Sequence, residues 1–167
     1  MLLQSFNRKS FAFAVLATLA GVSMQAGPAF AAGPFSAFAG VWSGGGTISM
    51  SNGTHERIRC RVIYSVRDAG SALIQSLVCA SDSYKFDVKS DVQSDAGSLS
   101  GSWTETTRNV TGQVSGHVGN GIIRATVMGT TFSAGLSLAV RGNAQSVLIE
   151  PQGTTDVVQV KVRLKRG

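Results

Sequence analysis

From Trp42 onward, apolar residues recur at every second position, a period that lines one face of a β-strand with them and leaves the other face polar. The cleanest run is Phe132, Ala134, Leu136, Leu138 and Val140. A second puts Ile58, Cys60, Val62, Tyr64 and Val66 on one face and Arg57, Arg59 and Arg61 on the other. Further runs hold Trp42 to Met50, then Leu73, Leu77 and Cys79, and then Tyr84, Phe86 and Val88 against Lys85, Asp87 and Lys89. After these come Leu99 with Trp103, Val110 to Val118, Ile122 to Met128, Val147 to Ile149 and Val158 to Leu164. Turn residues separate them at Asp68-Ala69-Gly70-Ser71, Asp95-Ala96-Gly97-Ser98, Gly119-Asn120-Gly121, Arg141-Gly142-Asn143 and Pro151-Gln152-Gly153. The recurring Asp-Ala-Gly-Ser is reused turn chemistry, since its flanks do not repeat. No apolar pattern at helical spacing is sustained, and Gly, Ser, Thr and Val dominate. The expected fold is all-β: an antiparallel up-and-down meander of about eight to ten short strands, closed into a small barrel so that no edge stays open to aggregation.

The first 31 residues follow a different rule. Arg8 and Lys9 precede the apolar run Phe11 to Val22, and the small-x-small triplet Ala29-Phe30-Ala31 follows it. That run is shorter than the ~20 residues a spanning helix needs and matches the ~7–15 of a secretory signal. Residues 1–31 are therefore expected to be a signal peptide cleaved after Ala31, leaving a lead-in at 32–39 and a single barrel domain at 40–167. No cysteine sits near the cleavage site to carry a lipid, and no later stretch has the length and apolarity of a membrane helix. The mature chain is expected in the periplasm or outside the cell. Without Arg8 and Lys9, 13 of the 15 Lys+Arg remain against 9 Asp+Glu, a net charge of +4.

The cysteines sharpen the topology. A hairpin centred on Ala69-Gly70 places Cys60 opposite Cys79, and the same register sets Val66 against Leu73, Tyr64 against Gln75 and Val62 against Leu77. Directly opposed residues on one face of an antiparallel pair come within ~4.5–5.5 Å, a distance a disulfide bridges. In an oxidising compartment Cys60 and Cys79 are expected to be joined. A metal centre would need more ligands than Cys60, Cys79, His55 and His117 supply at this spacing.

No catalytic signature is present: no Gly-x-Ser-x-Gly, His-Glu-x-x-His, phosphate loop or Cys-x-x-Cys. His55 precedes the second strand and His117 lies on the polar face of the Val110–Val118 run, both reading as solvated. An enzyme would need one of them to meet carboxylates across strands in a cleft. Gly44-Gly45-Gly46 lacks the following helix and Lys-Ser/Thr of a phosphate loop and reads as curvature or close packing. No cofactor is implied. The chain has too few aromatics for the two girdles of a membrane-spanning barrel, and its strand exteriors are polar.

Two features point to binding. Arg57, Arg59 and Arg61 face outward on the second strand, and Lys161, Arg163 and Lys165 do so on the last, with Arg166 beyond. In a closed meander the first strand lies between them and shows only Ser43, Gly45, Thr47 and Ser49, so the two rows form one positive surface. Such a surface attracts an anionic envelope component, or is simply a solvated basic edge. Nucleic acid is the least suited partner, because the aromatics that would stack bases are few and face inward. The second feature is Glu105, which falls opposite Val88 on the face shared with Trp103 and Phe86. It is either an inward carboxylate needing a partner, and so a ligand handle, or it is turned to solvent by a one-residue bulge.

At Gly40-Val41-Trp42, opening the first strand, the chain resembles the calycin group of barrels, the lipocalins and avidins. The resemblance implies that Trp42 packs across the closed end against an arginine of the last strand, for which Arg163 is the nearest candidate, although alternation points Arg163 outward. The chain is also similar in export, size and disulfide to bacterial periplasmic protease-inhibitor barrels, but their inhibitory segment is not recognisable in Gly33-Pro34-Phe35-Ser36-Ala37-Phe38. None of the biotin contacts of avidins can be placed. The expected function is a non-catalytic binding barrel for a small apolar or anionic envelope ligand; a protein-interaction barrel, such as a protease inhibitor or assembly factor, is the alternative.

Overall fold

The structure, a computed structural model, describes residues 32–153 and 155–167, so the signal peptide expected at 1–31 lies outside the described residues. Ten described strands follow a 3₁₀ turn at Ser36–Phe38: β1 Gly40–Met50, β2 His55–Arg67, β3 Ala72–Ala80, β4 Lys85–Asp95, β5 Ser98–Glu105, β6 Val110–Gly119, β7 Ile122–Gly129, β8 Ser133–Arg141, β9 Ala144–Gln152 and β10 Val157–Arg166. Each pairs antiparallel with its sequence neighbours, and β1 also pairs with β10, which closes the barrel. None of the described strands is left with an unpaired edge. A second 3₁₀ turn, Asp68–Gly70, joins β2 to β3.

Alternation predicts the inward faces well: Ile58, Cys60, Val62 and Tyr64 are buried while Arg57, Arg59 and Arg61 between them are exposed. The β2–β3 register is as expected, with Cys60 opposite Cys79, Val62 opposite Leu77 and Val66 opposite Leu73. Cys60 and Cys79 form the disulfide across a Cα–Cα distance of 4.1 Å.

The structure corrects the strand limits in four places. Phe132 and Tyr84 lie just outside β8 and β4, in turns. β9 is longer than Val147 to Ile149, because an inward glutamine, Gln145, interrupts the apolar pattern that marks it. Pro151 and Gln152 belong to β9 and not to a turn; Pro151 lies past the last β9–β10 pair, Ile149 with Val160, where the ladder is one-sided and proline is tolerated.

Glycine sets the curvature where β1 presses on β10. Gly46 is inward on β1, and a Cβ there would fall on the backbone carbonyl of Lys161. The β4–β5 and β6–β7 hairpins close on Ala96-Gly97 and Asn120-Gly121, where both central residues take positive φ, the geometry that matches strand twist in a two-residue loop.

Candidate functional site

One end of the barrel is stoppered by the lead-in. Gly33 donates its backbone N–H to the Ala69 carbonyl at 3.1 Å and Phe35 to that of Gly70 at 3.0 Å, which draws the 3₁₀ turn across the β2–β3 corner. Phe35, Phe38 and Trp42 are fully buried there. The Phe38 ring meets Tyr64 edge-on at 6.0 Å, and the Trp42 indole donates to the Phe38 carbonyl at 2.7 Å. The residue that covers the Trp42 ring is Arg166, its guanidinium 4.3 Å from the ring centroid. Arg166 also donates to the carbonyls of Ala39 and, at 2.8 Å, Ala37. Arg163, the expected partner, is exposed and outward; Arg166 shares the inward parity of Val162 and Leu164, a signal already present in the alternation of β10. Gln145 donates to the Tyr64 hydroxyl at 3.1 Å, a buried polar contact that the apolar pattern did not reveal.

Toward the other end Leu77, Val88, Val127, Leu136 and Val147 pack against the core but are only partly buried. Trp103 is buried there, donates to the Met128 carbonyl at 3.3 Å and carries Phe132 on its ring at 5.6 Å. Glu105 beside it is 6% exposed, and Val88 stands opposite it in an unbroken β4–β5 register, so the bulge that would turn it outward does not form. The physical reason is supply of donors. Its carboxylate accepts the backbone N–H of Asp87 at 3.1 Å, of Thr107 at 3.2 Å and of Arg108 at 2.7 Å, together with the Thr107 hydroxyl. Arg108 adds an ion pair at 3.6 Å and lies over the Phe86 ring. Glu105 thereby organises the β5–β6 turn.

Burial pushes the Glu105 carboxyl up, but the bonds from the Thr107 hydroxyl and from the N–H groups of Asp87, Arg108 and Thr107 outweigh it and hold the group at about 2, below its ordinary 4.5. A lowered folded-state value means that this stabilisation is complete above about pH 4.5 and is lost as pH falls toward about 2. Glu105→Gln is expected to lower stability by about 1–3 kcal/mol at neutral pH and to remove this part of the acid slope. Urea denaturation of both proteins across that range checks it; an unchanged slope would exclude Glu105 as its source.

The outer face of β2, β1 and β10 carries the expected basic rows in strict register. Arg61, Ser43 and Lys165 form one rung, Arg59, Gly45 and Arg163 the next, and Arg57, Thr47 and Lys161 the third. All six basic residues are exposed. Two strand spacings and two residue pairs set the patch at ~10 Å by ~13 Å. Uncharged residues stand directly beside the rungs, Ala80 and Val78 next to Arg59 and Arg61, and Leu148, Ser146 and Ala144 next to Lys161, Arg163 and Lys165; the nearest acid on the flanking strands is Glu150 of β9, one outward step past Leu148, whose carboxylate accepts from Gln159. The ion pairs among the described residues, Arg67 with Asp91 and Arg108 with Glu105, lie elsewhere. Neighbouring cations ~7 Å apart repel by about 0.6 kcal/mol in water before salt screening. The ladder therefore opposes folding slightly, and packing gives no reason for it.

His55 is exposed and lies 3.1 Å from the Ser49 hydroxyl. His117 is exposed too, in a shallow external groove of about 390 Å³ shared with Ser115, Arg124, Ser137 and Glu150; the Glu150 carboxylate accepts a bond from Gln159. Among the described residues no three of His, Cys, Asp and Glu gather as metal ligands would. No described helix is long and apolar enough to cross a membrane.

No protein-family model matches the chain, and no curated protein matches it. Solved structures do match in fold. Rv2717c from M. tuberculosis superposes with a TM-score of 0.63 at 12% identity, covering 79% of this chain and 94% of its own. The S-type phycobiliprotein lyase CPES from Guillardia theta gives 0.55 at 8% identity, with 80% and 90% covered. With the ten-strand closed meander, these likenesses make this a calycin-like β-barrel fold.

Proposed function

We propose that the mature chain is an exported, non-catalytic binding protein of the cell envelope, and that it holds an anionic envelope component against the outer face of β2, β1 and β10. The observation that carries this reading is the three-rung ladder of six exposed cations that form no ion pair among the described residues, divided by a strip of Ser43, Gly45 and Thr47 low enough to admit a ligand between the rows. The disulfide supports an oxidising compartment, as does the N-terminal pattern of residues 1–31. The outward ladder also argues against a membrane-spanning barrel, where Lys or Arg at the midplane costs about 2–4 kcal/mol each. The inward-facing aliphatics that are not fully buried, Leu77, Val127, Leu136 and Val147 among them, favour a small apolar ligand as a second reading. An inhibitor that works through a free N-terminal segment is disfavoured, since Phe35 and Phe38 are wholly engaged in their own barrel.

Titration of residues 32–167 with dextran sulfate tests the reading. Binding is expected to weaken steeply with salt. Arg59→Ser with Arg163→Ser is expected to lower affinity on the order of 10-fold, whereas Arg124→Ser with Arg141→Ser, off the ladder, leaves it within about 2-fold. Equal losses in the two double variants would mean that net charge alone is at work and would overturn the assignment.

A further inference from the structure

The ladder is bordered by apolar side chains that the fold does not need on its surface. Val78, directly opposite Arg61 on β3, is 41% exposed, and Ile63, the next outward residue of β2, is 42% exposed. Val41 of β1 stands opposite Ile63, and Leu148 flanks Lys161 on the far side. Isolated exposed aliphatics are ordinary on any protein. Here two of the described large ones sit at the same corner of the cationic ladder, on neighbouring strands.

We infer that the anionic component is a lipid surface, on which the barrel lies side-on with β2, β1 and β10 facing the headgroups and Ile63 and Val78 reaching below them. The inference rests on the anion-binding reading above and names its source. A soluble acidic polymer would complement the cations alone and leave the apolar corner in water. An anionic bilayer complements both, since headgroup charge meets the ladder and the interface takes up aliphatic surface. The dimensions agree. The patch is wide enough to meet more than one headgroup at once, and the central strip of Ser43, Gly45 and Thr47 raises no side chain that would hold the cations off the surface.

Co-sedimentation of residues 32–167 with mixed phosphatidylcholine–phosphatidylglycerol vesicles, against phosphatidylcholine alone, reads this out, with dextran sulfate titration in parallel. The wild-type chain is expected to sediment only with the anionic vesicles. Ile63→Thr with Val78→Thr retains β-branching, so the strands are kept, and is expected to lower vesicle affinity by about 10-fold while dextran sulfate affinity is unchanged. Arg59→Ser with Arg163→Ser lowers both. If the threonine variant binds vesicles as wild type does, or loses both ligands equally, the lipid surface is overturned while the anion-binding face stands. If the wild-type chain binds neither probe, both readings fall.

Discussion

Replacing Trp42 by alanine is expected to destabilise the barrel by about 3–5 kcal/mol, the range for deleting a fully buried aromatic side chain. That is a large share of the 5–15 kcal/mol that holds a typical domain folded. Trp42 is not merely a large apolar side chain. Its indole bonds to the Phe38 carbonyl, and its ring is covered by Arg166, which in turn grips the carbonyls of Ala37 and Ala39. Removing the ring therefore takes the floor from beneath Phe35 and Phe38 as well as leaving a cavity. Urea denaturation checks the magnitude, and hydrogen exchange at residues 33–39 checks the mechanism: those amides should lose protection in Trp42→Ala before any strand does. Arg166→Ala, which keeps the ring, is expected to cost only about 1–2 kcal/mol. Equal losses in the two variants would show that the arginine, and not the indole, holds the stopper.

The second large effect belongs to the disulfide. Cys60 and Cys79 are 19 residues apart, and closing a loop of that length removes enough unfolded-chain freedom to contribute about 3 kcal/mol on the chain-entropy account. Cys60→Ala with Cys79→Ala is expected to lose about that much, plus a smaller packing loss because both residues are buried in the interior. Comparison with reduced wild-type protein separates the two contributions, since reduction opens the loop without deleting sulfur. Reductant should shift the denaturation midpoint of the wild type most of the way to that of the alanine variant and leave the variant where it was. A wild-type midpoint insensitive to reductant would mean that the β2–β3 register is held by its apolar pairs alone.

The Glu105 carboxylate works at the end opposite Trp42 and on a different axis, pH, so the losses of these two should be additive. The bonds of Glu105 involve none of the groups that hold Trp42, and distant sites without shared partners add within a few tenths of a kcal/mol.

The sequence by itself determined the architecture. Period-two alternation marks a strand's faces wherever one face is buried, because a slip by one residue would turn the whole apolar set to water. The ten strands, the Cys60–Cys79 register and the outward rows of Arg57, Arg59, Arg61, Lys161, Arg163 and Lys165 were all legible for that reason. The parity that places Arg166 inward was legible too, but charge argues against burial until Trp42 and the carbonyls of Ala37 and Ala39 are seen to receive it. What only the tertiary structure decided lies in residues whose partners are remote in the chain. Nothing in the spacing of Phe35 and Phe38 says that they stopper a barrel, since the surface they cover comes from strands far along the chain. The Asp-Ala-Gly-Ser tetrapeptide makes the same point: at Asp95–Ser98 it closes a two-residue loop, whereas at Asp68–Ser71 it becomes a 3₁₀ turn whose carbonyls receive the lead-in. Glu105 faces inward because the turn after it folds its N–H groups back onto the carboxylate. Alternation records which side of a strand is wet. It cannot record which distant group makes a buried charge or a plug worth burying.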